Sequence, residues 1–142
     1  MVVLFKLSSQ TRVESADLSG GITKDIISFF FKDFLSLPED FRLNLLSTVH
    51  VIIRKMAHFS AFFFMGFFSS LAMLTYTCRL KIKILVPLII GLSYGIFDEV
   101  HQALVPGRGP GVLDVLLDFI GCLCGTVCVF LALKFYERRK KQ

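Results

Sequence analysis

Phe97-Asp98-Glu99-Val100-His101-Gln102-Ala103-Leu104, then Val105-Pro106-Gly107-Arg108-Gly109-Pro110-Gly111, then Val112-Leu113-Asp114-Val115-Leu116-Leu117-Asp118 is the stretch that decides the fold. Two apolar segments meet at a turn of Pro, Gly and Arg, and ionisable groups lie inside both segments. A charged group at mid-bilayer costs roughly 2.5–3.5 kcal/mol. Such groups therefore face a protein interior or a wet cavity, and the stretch is the first place to look for function.

Working outward, hydrophobic residues make up 54% of the 142 residues, Phe alone supplies 16 of them, and Trp is absent. Mean hydropathy is +0.68, high for a soluble chain of this length. Segments at about 56–76, 84–104 and 112–133 each reach the roughly 20 residues needed to cross a bilayer. The reading is all-α: a small polytopic membrane helical bundle, with 1–142 as a single membrane domain. Ile22, Ile26, Ile27, Phe30, Phe34 and Leu37 recur at helical spacing among Lys24, Asp25, Lys32 and Asp33. That pattern predicts an amphipathic helix lying at the membrane interface. Pro38-Glu39-Asp40 reads as the first turn of a further helix running into the first span. The apolar start, Met1 to Leu7, is too short to span and reads as the tail of a truncated membrane helix or as a short interfacial segment.

The net charge of +5 is modest. Much of the basic excess is Lys134 and Arg138-Arg139-Lys140-Lys141, which suits the cytoplasmic flank of a membrane helix and not a nucleic-acid surface. Arg79, Lys81 and Lys83 between the first two spans point the same way. Cys122, Cys124 and Cys128 on one helix do not converge on a metal and read as small buried hydrophobes. There is no P-loop, dinucleotide fingerprint, Ser-centred elbow or His-Glu-x-x-His motif.

Gly91-x-x-x-Gly95 and Gly121-x-x-x-Gly125 are small-residue motifs that let helices approach closely. On two antiparallel helices joined by a tight turn, Gly95 and Gly121 each fall about 13 Å below the turn, and Asp98 and Asp118 about 9 Å below it. This predicts that Gly95 faces Gly121. Two carboxylates meeting in low dielectric need a shared proton, a cation or basic neighbours. His58, Arg54, Lys55, His101 and Arg108 are available at similar depth. The bland alternative is tight packing with buried ion pairs. Glu99 lies about 100° from Asp98 around the helix, so the two do not face one neighbour.

Arg54-Lys55-Met56-Ala57-His58-Phe59, Asp98-Glu99-Val100-His101-Gln102, Pro106-Gly107-Arg108, Asp114 with Asp118, and Gly121 followed by Gly125 together resemble the VanZ-like family. These are small integral membrane proteins named after a teicoplanin-resistance protein of glycopeptide-resistance gene clusters. The resemblance covers about 8–130, including the Ser8-Ser9-Gln10 that closes the family's first membrane helix. It implies a multi-pass protein of the bacterial cell membrane and a link to envelope biology or to teicoplanin and lipoglycopeptide susceptibility. It supplies no reaction. An acid frequent in the family after the Arg-Lys-x-x-His motif is Ala61 here, and Gly109-Pro110-Gly111 replaces its small polar residue after the turn.

Two function classes follow. One is a non-enzymatic envelope protein that binds a lipid-linked ligand or alters access of a lipoglycopeptide to its target. The other is a membrane enzyme acting on an anionic lipid or lipid-linked envelope precursor. In that reading Asp98, His58, His101 and Asp118 are the catalytic candidates, and Arg54, Lys55, Gln102, Arg108 and Asp114 bind the ligand. No cofactor is identified. A divalent cation is an option, carboxylate-rich ligation suiting Mg²⁺ or Mn²⁺ better than a Cys/His zinc site. The partners expected are membrane lipid or a lipid-linked precursor, without nucleic acid, and a homo-oligomer is allowed. Short basic loops set orientation, so a cysteine introduced at Gly109 should be labelled by an impermeant reagent from outside intact cells. Labelling only after the cytoplasmic side is opened would invert the topology.

Overall fold

The computed structural model describes residues 38–104 and 111–140. The expected interfacial helix at 22–37 and the truncated membrane helix at the start lie outside them. Among the described residues every regular element is helical: α1 (Glu39–Leu74), α2 (Leu80–Ala103) and α3 (Val112–Lys140). All three are long and apolar enough to cross a membrane. α1 starts directly after Pro38, with Glu39 and Asp40 in its first turn, where carboxylates meet the positive end of the helix dipole. As the sequence suggested, it runs without interruption into the first span. α3 continues seven residues past the span expected to end near 133, carrying the basic tail as helix to Lys140.

Two compact units separate, drawn from Met1–Met56 with His101–Gly109 and from Ala57–Val100 with Pro110–Gln142. In the second, buried positions fall into helical stripes: Phe62, Gly66 and Ser70 on α1, Gly91, Gly95 and Asp98 on α2, and Asp118, Gly121, Cys122, Gly125, Thr126 and Val129 on α3. The phenylalanines divide by the same period. Phe62 is buried against Tyr94, with ring centroids 6.1 Å apart, while Phe64 and Phe68 are exposed, as lipid-facing side chains would be.

The glycines set the packing, but not as the sequence suggested. A Cβ on Gly121 would lie 2.6 Å from the Phe59 carbonyl oxygen of α1. One on Gly125 would run into the Phe63 carbonyl and come within 2.8 Å of the Phe67 nitrogen. One on Gly66 would collide with the Cys122 backbone. The closest backbone approach is therefore between α1 and α3. Gly95 does not face Gly121; it faces the Asp118 Cβ at 3.6 Å, the Phe62 ring at 3.7 Å and Val115 at 3.8 Å. The reason is that depth along a hairpin fixes level and leaves azimuth open. Cys122 sits at the junction, fully buried between Gly66 and Gly91, and its thiol donates to the Pro87 carbonyl at 3.5 Å. Cys124 and Cys128 are exposed instead of buried, because their positions point away from the stripe.

At the far end of this unit α1 and α2 are joined by a short connection. The Lys83 ammonium donates to the Leu74 carbonyl at 3.5 Å, satisfying one of the orphan acceptors at the end of α1.

The two kinds of glycine predict different sensitivities. Gly125→Ala must push a methyl into backbone and should cost on the order of 1–3 kcal/mol by overpacking. Gly95→Ala meets only ordinary contacts and should cost less than about 1 kcal/mol. Unfolding of the detergent-solubilised protein measures both, and equal effects would contradict this seam.

Candidate functional site

Within the second unit, one ionisable residue from each helix converges. His58 lies on α1 one residue before Phe59, whose carbonyl receives Gly121. Asp118 lies on α3 one turn before Gly121. Asp98 lies on α2 one turn after Gly95, which packs against the Asp118 stem. The close approaches thus bring the three side chains to one level. His58 Nδ1 is 3.6 Å from Asp118 Oδ1 and 3.9 Å from Asp98 Oδ2. One donor atom from each residue can be chosen so that all lie within 4.8 Å of one another. Both acids are buried and the histidine is half-buried. Asp118 Oδ1 is buried without a hydrogen-bond partner among the described residues. A buried carboxylate oxygen left so is costly.

Glu99, one residue from Asp98, is directed elsewhere, as the 100° step requires. Its carboxylate accepts a hydrogen bond from the Gly111 N–H, just ahead of α3. The Gly111 carbonyl in turn receives the Asp114 N–H at 2.8 Å, and the Asp114 carboxylate curls back beside Gly111. Two acids thus sit at the start of α3, where the helix dipole and orphan N–H groups favour negative charge. Glu99 is buried, and its role here is to anchor the beginning of the helix. The spacing from Asp98 is the sequence signal that separates it from the centre.

In the first unit Arg54 donates from Nη2 to Gln102 Oε1 at 2.6 Å, joining α1 to the end of α2. Gln102 is buried at 3% exposure, so this contact satisfies a buried amide. Lys55 is exposed and His101 half-buried. Arg108 lies outside the described residues. Of the residues expected in one polar pocket, the structure groups His58, Asp98 and Asp118, sets Asp114 with Glu99 at the start of α3, and pairs Arg54 with Gln102.

Three membrane-competent helices carrying a buried polar centre define a small polytopic α-helical membrane protein. The family model described as VanZ/LLP1 matches residues 1–133. The chain belongs to the VanZ-like family. No curated protein matches it, nor does any solved structure.

The anchoring role of Glu99 makes its own prediction. Glu99→Ala leaves the Gly111 N–H without its charged acceptor and should destabilise the protein by roughly 1.5–3 kcal/mol. Hydrogen exchange at 111–115 should rise more than exchange in the middle of α3. Unchanged exchange there would remove the role.

Proposed function

We propose that this protein works in the envelope of a bacterial cell, at the outer face of the cell membrane, on an anionic lipid-linked envelope precursor, and that it lowers susceptibility to teicoplanin-type lipoglycopeptides. The observation that carries the reading is the convergence of His58, Asp98 and Asp118 from three helices, with both acids buried. In a membrane protein, ionisable groups gathered away from lipid are a costly arrangement that points to function by default. A centre of two carboxylates and an imidazole can exchange protons with a substrate hydroxyl or phosphate. His101 is the remaining proton-transfer candidate named by the sequence. The cationic candidates for an anionic head group are Arg54, Lys55 and Arg108. Arg is suited to bidentate phosphate or carboxylate recognition. The basic Arg79–Lys83 connection and the basic tail, which suit the cytoplasmic side of a membrane, support the outer face.

The test is a profile of lipid-linked cell-wall precursors, together with teicoplanin susceptibility, in cells with and without the protein. Asp98→Asn keeps the shape and removes the charge. It should reach the membrane in normal amount yet leave precursors and susceptibility as in cells lacking the protein. His58→Ala should do the same. If both variants insert normally and retain the full cellular effect, the centre is a packing feature and this reading fails.

A further inference from the structure

We infer that His58, Asp98 and Asp118 form a binding site for a divalent first-row metal ion, Mn²⁺ or Zn²⁺. The inference deepens the functional reading of the same centre, and rests on it for what the ion would do but not for whether the ion binds. Three observations carry it. The first is convergence: one imidazole nitrogen and two carboxylate oxygens, from three different helices, lie within 4.8 Å of one another. Ligand distances of about 2.0–2.2 Å place donor pairs roughly 3–4.3 Å apart around one ion. The His58–Asp118 and His58–Asp98 separations of 3.6 and 3.9 Å already fall in that range. The second is Asp118 itself. Its side chain is only 4% exposed, and its Oδ1 has no hydrogen-bond partner among the described residues. That oxygen is the one nearest His58 Nδ1, so it points into the cluster.

The third is charge. A divalent cation held between two carboxylates would balance acidic groups that a low-dielectric interior otherwise penalises. The donor set narrows the ion. Mg²⁺ and Ca²⁺ prefer oxygen ligands alone, whereas an imidazole beside carboxylates suits Mn²⁺ or Zn²⁺. Cys122, one turn further along α3, takes no part, since its thiol is directed to the Pro87 carbonyl. Three protein ligands leave coordination positions open, as in catalytic metal sites.

The experiment uses the full chain purified in detergent, stripped with chelator, reloaded with Mn²⁺ or Zn²⁺ and passed through gel filtration. Elemental analysis should find about one ion per chain, and the ion should raise the melting temperature. Asp118→Asn and His58→Ala should each weaken binding by more than the roughly 10–100-fold that an outer-shell change costs. Wild-type protein that retains neither ion, or variants that bind as tightly as wild type, would overturn the site. Should the variants fail to fold, the wild-type protein alone decides. Its bound Mn²⁺ must show nitrogen coupling in pulsed EPR that changes on ¹⁵N-histidine labelling, and its absence would reject imidazole ligation. Metal content and cellular effect are read separately. Loaded protein whose Asp98→Asn variant keeps its cellular effect would uphold the metal site and sink only the functional reading.

Discussion

Hydrocarbon offers helices no hydrophobic reason to associate, so helices in a bilayer are held by how closely their backbones can approach. In this protein that approach is made where α3 presents Gly121 and Gly125 to the α1 backbone and α1 returns Gly66 to Cys122. Each of these positions is too tight for a single methyl group. The contact does more than join two helices, because it fixes their register. With Gly121 seated on the Phe59 carbonyl, the residue one turn earlier, Asp118, must fall beside His58. With Gly95 against the Asp118 Cβ, the residue one turn later on α2, Asp98, must fall beside the same histidine. The polar centre is the consequence of where glycines stand.

This dependence explains why a centre so costly in a membrane can be held at all. Dispersion contacts between backbones are insensitive to charge, so the seam does not weaken when the acids change their protonation or partners. The centre can therefore be modified without dissolving the helix packing that presents it. A site whose helices were joined by its own ion pairs would have no such independence, since removing one buried partner destabilises what remains.

Much of this was legible in the sequence. Three long apolar segments fixed the helical class, and acids inside them marked the site. The glycine spacing was also visible, but its partner was misread. Counting 1.5 Å per residue gives a level along the helix and nothing about which neighbour occupies that level. Gly66 was the missing half. It sits among the phenylalanines of 59–68, yet Gly66 followed by Ser70 at a spacing of four is itself a small-residue stripe. Arg54 and Lys55 were read as equivalent neighbours. A 100° step separates them, and Arg54 meets Gln102 while Lys55 is exposed. Cys124 and Cys128 illustrate the same limit: an apolar residue on an apolar helix carries no mark of which face is inward when the surroundings are lipid.

The acids between Asp98 and Asp118 show how physical setting divides one cluster into two tasks. Glu99 and Asp114 lie at the beginning of α3, where free N–H groups and the positive end of the dipole stabilise a carboxylate. Asp118 lies beyond the first turn of α3, and the dipole's influence fades within that turn. Asp98 lies towards the C-terminal end of α2, where whatever dipole remains opposes a negative charge. Neither receives from its own helix the help that Glu99 and Asp114 receive from the start of α3. Across the packing both lie beside His58. Four acids that look alike in the sequence are thus two that sit at the start of α3 and two that meet a histidine from a third helix.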